Sequence, residues 1–322
     1  MKNVNIAILG LGTVGGGTYE ILSKLNKKLI ETRTGINFTL TKVLERDMSK
    51  LEALGIDPSC AVTDPDLITN ADDVDIVVES LGGIDFPADI MEKALLNGKS
   101  VVTPNKAAVA ANFERLNKAA KASGAQFRFE ASVGGGIPAL TAIKEALAGN
   151  RFTEVMGIVN GTTNYILTKM GEEGWSYEEA LKDAQKKGFA EADPTADVEG
   201  IDAANKLSIL TSLCFDEYIP PEEITREGIS GVTMSDIEEA RSKGGKIKLI
   251  ASAKKRGAIL SYSVKPTFIP NDHPLAGVSN EFNAIYVTGN AVGELMFYGK
   301  GAGALPTGSA VVGDIIAIAN SL

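Results

Sequence analysis

A glycine pattern near the amino terminus constrains the fold most. Gly10-Leu11-Gly12-Thr13-Val14-Gly15 fits G-x-G-x-x-G, directly after a β-branched run (4–9) that predicts a buried strand and before apolar residues at helical spacing. The first glycine permits a tight turn, the second lets the backbone approach a pyrophosphate, and the third allows close helix–strand packing. In this position the motif predicts dinucleotide binding at a helix N-terminus, through Gly10, Gly12, Thr13, Val14 and Gly15.

Predicted strands and helices alternate through the first half of the chain. Strands are predicted at 38–44, 74–78, 100–103 and 126–129, and helices at 87–96, 107–123 and 138–147. This order favours the α/β class, with an N-terminal Rossmann-type, doubly wound parallel sheet. We place the first domain at 1–150, joined by the C-terminal segment 300–322, because the apolar predicted helix 308–319 carries almost no charge and must be buried.

The pattern changes after residue 150. Predicted helices at 163–170, 177–187, 201–213 and 236–243 come before predicted strands at 248–253, 260–264, 284–288 and 294–298. Strands that follow one another in this way favour a mostly antiparallel sheet with helices on one face. We therefore predict an α+β second domain at 151–299.

Composition narrows the classes of function. Against 41 acidic residues there are only 32 Lys and Arg, giving a net charge of −9, so a nucleic-acid or membrane-surface partner is not expected. The two cysteines, Cys60 and Cys214, cannot form a disulfide framework. No signal peptide and no apolar stretch of about 20 residues is present, so we expect a cytoplasmic protein. With His273 as the only histidine, proton transfer in an enzyme falls to Lys, Asp or Glu.

The end of the second predicted strand bears on the choice of dinucleotide. Glu45 could accept a hydrogen bond from a ribose 2′-hydroxyl of NAD, whereas Arg46 could hold the 2′-phosphate of NADP. We favour NADP, and the alternative is a solvated strand end with no role in binding.

Five carboxylates and one lysine crowd into residues 191–206. Asp202 and Lys206 stand at i and i+4 on a predicted helix that is apolar on most sides, so they share a face that we expect to be enclosed. A desolvated lysine beside carboxylates can donate or accept a proton. From these residues alone, a structural ion pair with no catalytic role is as well supported as a proton-transfer pair. The carboxylates are Glu191, Asp193, Asp197, Glu199 and Asp202.

Together these segments resemble homoserine dehydrogenases, over essentially the whole chain. The resemblance rests on the order of seven motifs: the N-terminal G-x-G-x-x-G, and the segments 79–83, 103–106, 130–138, 160–167, 191–206 and 301–307. It implies reversible NAD(P)-dependent interconversion of homoserine and aspartate 4-semialdehyde, on the route to threonine, methionine and isoleucine. It also implies that the second domain binds substrate and forms a homodimer.

The resemblance assigns roles to particular residues. Lys206 matches the proton donor, and Lys106 a second lysine near the nicotinamide. The implied substrate residues are Glu191, Asp197, Asp202, Gly161 and Thr162. Beyond the glycine turn and Arg46, the implied cofactor residues are Ser80, Thr103, Lys106, Gly301 and Gly303. A monovalent cation, sodium, is implied at Glu130, Val133, Gly135 and Ile137, three of which would offer backbone carbonyls.

Two departures from the family pattern stand out. Lys300 occupies a position where proline is common, which predicts a less rigid closing loop. We also expect a short form without the C-terminal regulatory ACT domain, and hence no threonine feedback through such a domain. The remaining alternatives are another NAD(P)-dependent amino-acid dehydrogenase and a non-catalytic dinucleotide sensor.

Overall fold

A six-stranded parallel sheet is the centre of the first of two structural units. The computed structural model describes residues 1–322, and contacts divide them into Met1–Gly136 with Ala302–Leu322, and Ile137–Gly301. Residues 137–150, which we placed in the first domain, cluster with the second unit, since the helical turn Ala142–Ala146 packs on the helix Ile201–Phe215.

The first sheet has the strand order of a dinucleotide-binding fold. Its strands are β1 (Lys2–Leu9), β2 (Ile36–Leu44), β3 (Ala61–Val62), β4 (Ile76–Glu79), β5 (Ser100–Val102) and β6 (Phe127–Arg128). The order is β3-β2-β1-β4-β5-β6, with every pair parallel. The strand order reverses between β1 and β4, which is where such sheets bind ligands at their carboxyl ends. The predicted doubly wound fold is confirmed.

Helices connect these strands. They are α1 (Thr13–Glu20), α2 (Lys27–Thr34), α3 (Met48–Leu54), α4 (Asp66–Thr69), α5 (Asp85–Leu96), α6 (Lys106–Ala111) and α7 (Phe113–Ser123). A π-helical turn, Ile21–Leu25, separates α1 from α2. The single helix predicted at 107–123 is wrong: it breaks at Asn112, whose backbone leaves the helical region and whose side chain donates to the Ala108 carbonyl.

The second unit contains a five-stranded antiparallel sheet. Its strands are β7 (Phe152–Ile158), β8 (Gly245–Arg256), β9 (Ile259–Pro270), β10 (Phe282–Gly289) and β11 (Gly293–Lys300), in the order β11-β10-β7-β8-β9. Its helices are α8 (Gly161–Glu173), α9 (Tyr177–Lys186), α10 (Thr195–Val198), α11 (Ile201–Phe215) and α12 (Met234–Ser242). The antiparallel sheet is confirmed, but its central strand β7 was missed, because its short run with an internal glycine resembles a loop.

The last helix, α13 (Ala304–Ser321), returns to the first unit and packs on α1. The contact depends on small residues: a Cβ added to Gly17 would lie 2.5 Å from the Ala304 carbonyl oxygen. Asp314 of α13 accepts a hydrogen bond of 2.8 Å from the Glu130 backbone N–H. None of the helices combines the length and the apolar character required to span a bilayer.

Candidate active site

The glycine turn joins β1 to α1 at the carboxyl edge of the parallel sheet. Gly10 has a φ of 87°, in the left-handed region that favours glycine. A Cβ on Gly15 would lie 2.1 Å from the Gly10 carbonyl oxygen, so only glycine fits there. A Cβ on Gly12 would meet nothing within 4 Å, and no side chain caps α1. The turn therefore offers open space and uncapped N–H groups, which fits a pyrophosphate.

Glu45, at the end of β2, is bonded to the protein on both carboxylate oxygens. Its Oε2 accepts from the Leu11 N–H at 3.1 Å and from Lys50 Nζ at 3.0 Å, and its Oε1 from the Arg46 and Asp47 N–H groups. Burial raises the pKa of Glu45, but these hydrogen bonds outweigh it and lower the pKa to about 2. Glu45 therefore holds the glycine turn, while the adjacent Arg46 is exposed.

A buried carboxylate holds the ends of β4 and β5 together. Glu79 is fully buried and accepts from the Thr103 hydroxyl at 2.5 Å and from the Leu81 N–H at 2.7 Å. Burial raises its pKa. The sequence assigned no role to Glu79. In the structure its carboxylate holds Thr103, one of the predicted cofactor residues. Thr103 in turn accepts from the Asn105 N–H at 2.9 Å, directly before Lys106 begins α6.

Ser80 also faces the glycine turn. Its hydroxyl lies 3.0 Å from the Leu9 carbonyl oxygen and 2.8 Å from that of Gly10. In this structure Ser80 therefore ties the turn to the end of β4, and its hydroxyl lies 2.6 Å from where a Cβ on Gly15 would be.

The predicted cation residues lie on a glycine-rich turn after β6. Glu130 is buried, and Gly134 and Gly135 have φ values of 76° and 55°. The boundary between the two units falls after Gly136, so Ile137 begins the second unit. No group of three or more His, Cys, Asp or Glu side chains has the geometry of a metal site. The predicted donors are one carboxylate and three backbone carbonyls, an oxygen set that suits a hard cation.

The second unit brings Asp202 and Lys206 together, as their spacing predicted. Lys206 Nζ lies 2.6 Å from Asp202 Oδ2 and donates to the Val159 carbonyl oxygen at 2.6 Å. Both residues are buried, at 7% and 8% exposure, which confirms the expected enclosure. The pair lies in the first two turns of α11, and such a buried ion pair is either structural or a means of proton transfer.

Asn160, to which the sequence assigned no role, joins the predicted carboxylates. Its Nδ2 donates to Asp197 Oδ1 at 2.7 Å and to Asp202 Oδ2 at 2.9 Å, while its Oδ1 accepts from the Thr163 N–H and caps α8. Burial raises the pKa of Asp197. Asn160 thus joins both carboxylates, and through Asp202 the lysine, to the start of α8. Its position before an apolar helix predicts a helix cap, but does not predict the hydrogen bonds to the two carboxylates.

The remaining predicted substrate residues divide into two groups. Thr162 donates to the Phe189 carbonyl oxygen at 2.6 Å and lies 3.2 Å from Asp197 Oδ2, so it belongs to this cluster. Gly161 precedes it, and a Cβ there would lie 2.9 Å from the Glu281 carbonyl oxygen. Glu191 stands apart: its side chain is exposed and makes no hydrogen bond within the protein.

The predicted closing loop lies at the end of β11. A Cβ on Gly301 would lie 2.1 Å from the side-chain nitrogen of Asn283, so this position requires glycine. Gly303 has a φ of 117° and precedes α13.

Neither cysteine is prepared for nucleophilic attack. Burial raises the pKa of Cys214 to about 12, and burial together with the charge of Asp57 raises that of Cys60. Both thiols are protonated near neutral pH, which disfavours chemistry through an acyl-enzyme.

Known proteins resemble this chain over its whole length. A family model described as the homoserine dehydrogenase NAD-binding domain matches residues 10–130, and one described as homoserine dehydrogenase matches 138–316. A homoserine dehydrogenase of Bacillus subtilis is 45% identical over 322 residues, which are 100% of this chain and 74% of the relative.

Solved structures agree with this match. The crystal structure of a homoserine dehydrogenase from Thiobacillus denitrificans has a TM-score of 0.94 and 41% identity, covering 99% of this chain and 74% of that chain. A hyperthermophilic archaeal homoserine dehydrogenase in complex with NADPH has a TM-score of 0.83 and 31% identity, covering 99% and 98%.

The fold and the glycine turn define an enzyme of the dinucleotide-dependent oxidoreductase class. The two units match the two parts of one family in sequence and in structure. The chain belongs to the homoserine dehydrogenase family, and its residues 10–130 form the NAD-binding domain of that family.

Proposed function

We propose that this chain interconverts L-homoserine and L-aspartate 4-semialdehyde, with Lys206 as the proton donor and acceptor. The observation that carries this proposal is the buried Asp202–Lys206 pair, bridged by Asn160 to Asp197. The reaction belongs to threonine, methionine and isoleucine biosynthesis.

The proton chemistry follows from the charge of the pair. In the reducing direction the Lys206 ammonium donates a proton to the oxygen that gains negative charge, and Asp202 stabilises the cation before the transfer. In the oxidising direction the neutral amine of Lys206 takes the hydroxyl proton. The nicotinamide, when bound, accepts or returns the hydride. Lys106 is the second lysine that we assign to the reacting groups.

Substrate recognition requires groups for an ammonium and a carboxylate. Glu191 fits the ammonium group, because its carboxylate is exposed and accepts no hydrogen bond from the protein. Gly161 and Thr162 fit the substrate carboxylate, since they lie in the first turn of α8, where backbone N–H groups lack helical acceptors. Asp197 and Asp202 orient this turn through Asn160.

We favour NADP over NAD. Glu45 already accepts four hydrogen bonds, which leaves no acceptor for a ribose 2′-hydroxyl. Arg46 is exposed beside it and fits a 2′-phosphate. We place the dinucleotide at the glycine turn with Ser80, Thr103, Lys106, Gly301 and Gly303.

A sodium ion at Glu130, Val133, Gly135 and Ile137 is part of the proposal. The left-handed Gly134 and Gly135 support it, because they free backbone carbonyls from helical bonding. Replacing sodium with choline at constant ionic strength should lower kcat, and Glu130→Gln should weaken that dependence. Equal rates in both salts would contradict the cation site.

We also propose a homodimer. β11 is an edge strand of the second sheet and exposes Met296 and Tyr298, at 39% and 52%. Apolar side chains on an edge strand favour pairing with a second copy. Light scattering after gel filtration tests this, and a species of 33.8 kDa would contradict it.

The decisive assay mixes the protein with NADPH or NADH and aspartate 4-semialdehyde, and follows the absorbance of the reduced nicotinamide. We expect oxidation with both and a higher kcat/KM with NADPH. Turnover of a different amino-acid aldehyde alone would indicate another dehydrogenase. Cofactor binding with no turnover of any substrate would indicate a sensor.

A further inference from the structure

A cavity of about 140 Å³ in the second unit is lined by more cationic than anionic side chains. It lies between the last turns of α8, the helix α12 and the start of β8. Its charged lining residues are Arg241, Lys246 and Lys248, against one carboxylate, Glu172. The volume is enough for several waters or one small anion.

Lys248 is the most deeply buried of these groups, at 1% exposure. Its Nζ donates to the Val278 carbonyl oxygen at 2.7 Å and to Asn164 Oδ1 at 3.1 Å, and no carboxylate lies within ion-pair distance. An ammonium has three protons to donate, so these two bonds leave one. A buried cation without a counter-charge is costly, which makes a site for an anion beside it favourable.

The neighbouring groups do not neutralise this charge. Burial and repulsion from Lys246 outweigh the attraction of Glu172 and lower the pKa of Lys248 to about 8. Glu172 is committed elsewhere, since it accepts from Lys246 Nζ at 3.0 Å and from the Ser279 hydroxyl at 3.2 Å. Arg241 donates to the Gly171 carbonyl oxygen, which leaves its remaining N–H groups for other acceptors.

We propose that this cavity is a binding site for a small oxyanion: a carboxylate, sulfate or phosphate. Lys248 supplies the buried ammonium and Arg241 the planar guanidinium at the rim, while Lys246, two residues along the same face of β8, is paired with Glu172. The anion takes the place of the counter-charge that Lys248 lacks. This site shares no side chain with the Asp202–Lys206 cluster.

The test is isothermal titration calorimetry with sodium sulfate and sodium acetate, each at constant ionic strength set by sodium chloride. Arg241→Gln should weaken binding about tenfold, because it removes a charged hydrogen-bond donor. Glu172→Gln should tighten it, because it removes the only negative charge in the lining. Lys243→Met is the matched control, exposed on α12's end and outside the cavity, and should bind as the wild type does.

Lys248→Met should abolish binding. If that variant folds poorly, Arg241→Gln alone tests the site. Sulfate held at the glycine turn is common to all variants and cancels in the comparison. Tighter sulfate assigns the site to tetrahedral anions, and tighter acetate to carboxylates. No binding heat with either salt, or equal affinity in the wild type, Arg241→Gln and Glu172→Gln, would overturn the proposal and leave Lys248 a structural role.

Discussion

Lys206 and Asp202 form an ion pair of 2.6 Å whose side chains are only 10% and 8% exposed. Lys243 and Glu239 have the same i,i+4 spacing on α12, but both side chains are 60% exposed. Identical spacing thus yields two different interactions, because solvent screens one pair and not the other. This contrast provides a matched control for the catalytic proposal.

Lys206→Ala should lower kcat about 10²–10⁴-fold, the usual contribution of general acid–base catalysis, and leave NADPH affinity unchanged. It should also destabilise the fold by about 3–5 kcal/mol, because Asp202 loses its partner in a buried position. Steady-state kinetics, cofactor fluorescence and urea unfolding measure the three quantities. Lys243→Ala should change stability by less than about 1 kcal/mol and not affect kcat. A near-normal kcat in Lys206→Ala would transfer the role to Lys106.

Asn160→Asp should be more damaging than Asn160→Ala near neutral pH. The aspartate places a third carboxylate against Asp197 and Asp202, whereas alanine removes only the bridge and a helix cap that contributes about 1 kcal/mol. Burial already raises the pKa of Asp197, so added negative charge favours its protonated form further. The kcat of Asn160→Asp should therefore recover relative to Asn160→Ala as the pH falls. Parallel pH profiles for the two variants would contradict a role for Asn160 in setting these charges.

Gly12→Ala should fold normally and lose dinucleotide affinity. The added Cβ meets nothing within 4 Å in the protein, so its only cost is to the space proposed for the pyrophosphate. Gly16→Ala is the control, since its Cβ would lie 3.8 Å from Leu54 in ordinary contact. Thermal melting should give equal Tm values, and fluorescence titration should give weaker NADPH binding for Gly12→Ala alone. Unchanged binding there would move the cofactor away from the turn.

Arg46→Ala should raise the KM for NADPH about tenfold or more and leave that for NADH almost unchanged, because only NADPH carries the 2′-phosphate. The ratio of kcat/KM for the two cofactors measures the effect directly. Lys50→Ala is a useful comparison, since Lys50 pairs with Glu45. An equal loss with both cofactors in Arg46→Ala would show that Arg46 supports the turn and does not read the phosphate.

Glu45 should make stability depend on acid pH. Its folded pKa of about 2 lies below the ordinary 4.5, so its contribution is present above pH 4.5 and is lost as the pH falls toward 2. The shift corresponds to about 3 kcal/mol at most. Glu45→Gln should lose much of this at neutral pH and should unfold with a flatter pH dependence in that window. Urea unfolding at several pH values tests it, and identical slopes for both proteins would contradict it.

The glycine turn and the Asp202–Lys206 pair could be predicted because their information is local. A strand, a six-residue pattern and a helix follow one another in the first case, and a single helical turn separates the two side chains in the second. Asn160 could not be assigned in this way. Its carboxylate partners are 37 and 42 residues further along the chain, and only the packing of α8 beside α10 and α11 brings them together.

Glu45 shows a second limit of sequence reasoning. The sequence placed it correctly at the end of β2, as a residue that could accept a ribose hydroxyl. Its oxygens are instead taken by the N–H of Leu11, 34 residues earlier, and by its own neighbours. Hydrogen-bond competition of this kind depends on the tertiary structure. It cannot be read from the residue type or its position in a strand.

The packing of α13 on α1 has a consequence for synthesis. The unit with the parallel sheet is built from Met1–Gly136 and Ala302–Leu322, whereas Ile137–Gly301 is continuous. On the ribosome the antiparallel unit, Ile137–Gly301, is therefore fully synthesised before the unit with the parallel sheet. The α1 surface around Gly17 stays uncovered until α13 has emerged. Apolar surface that is exposed in that interval is where chaperones would act.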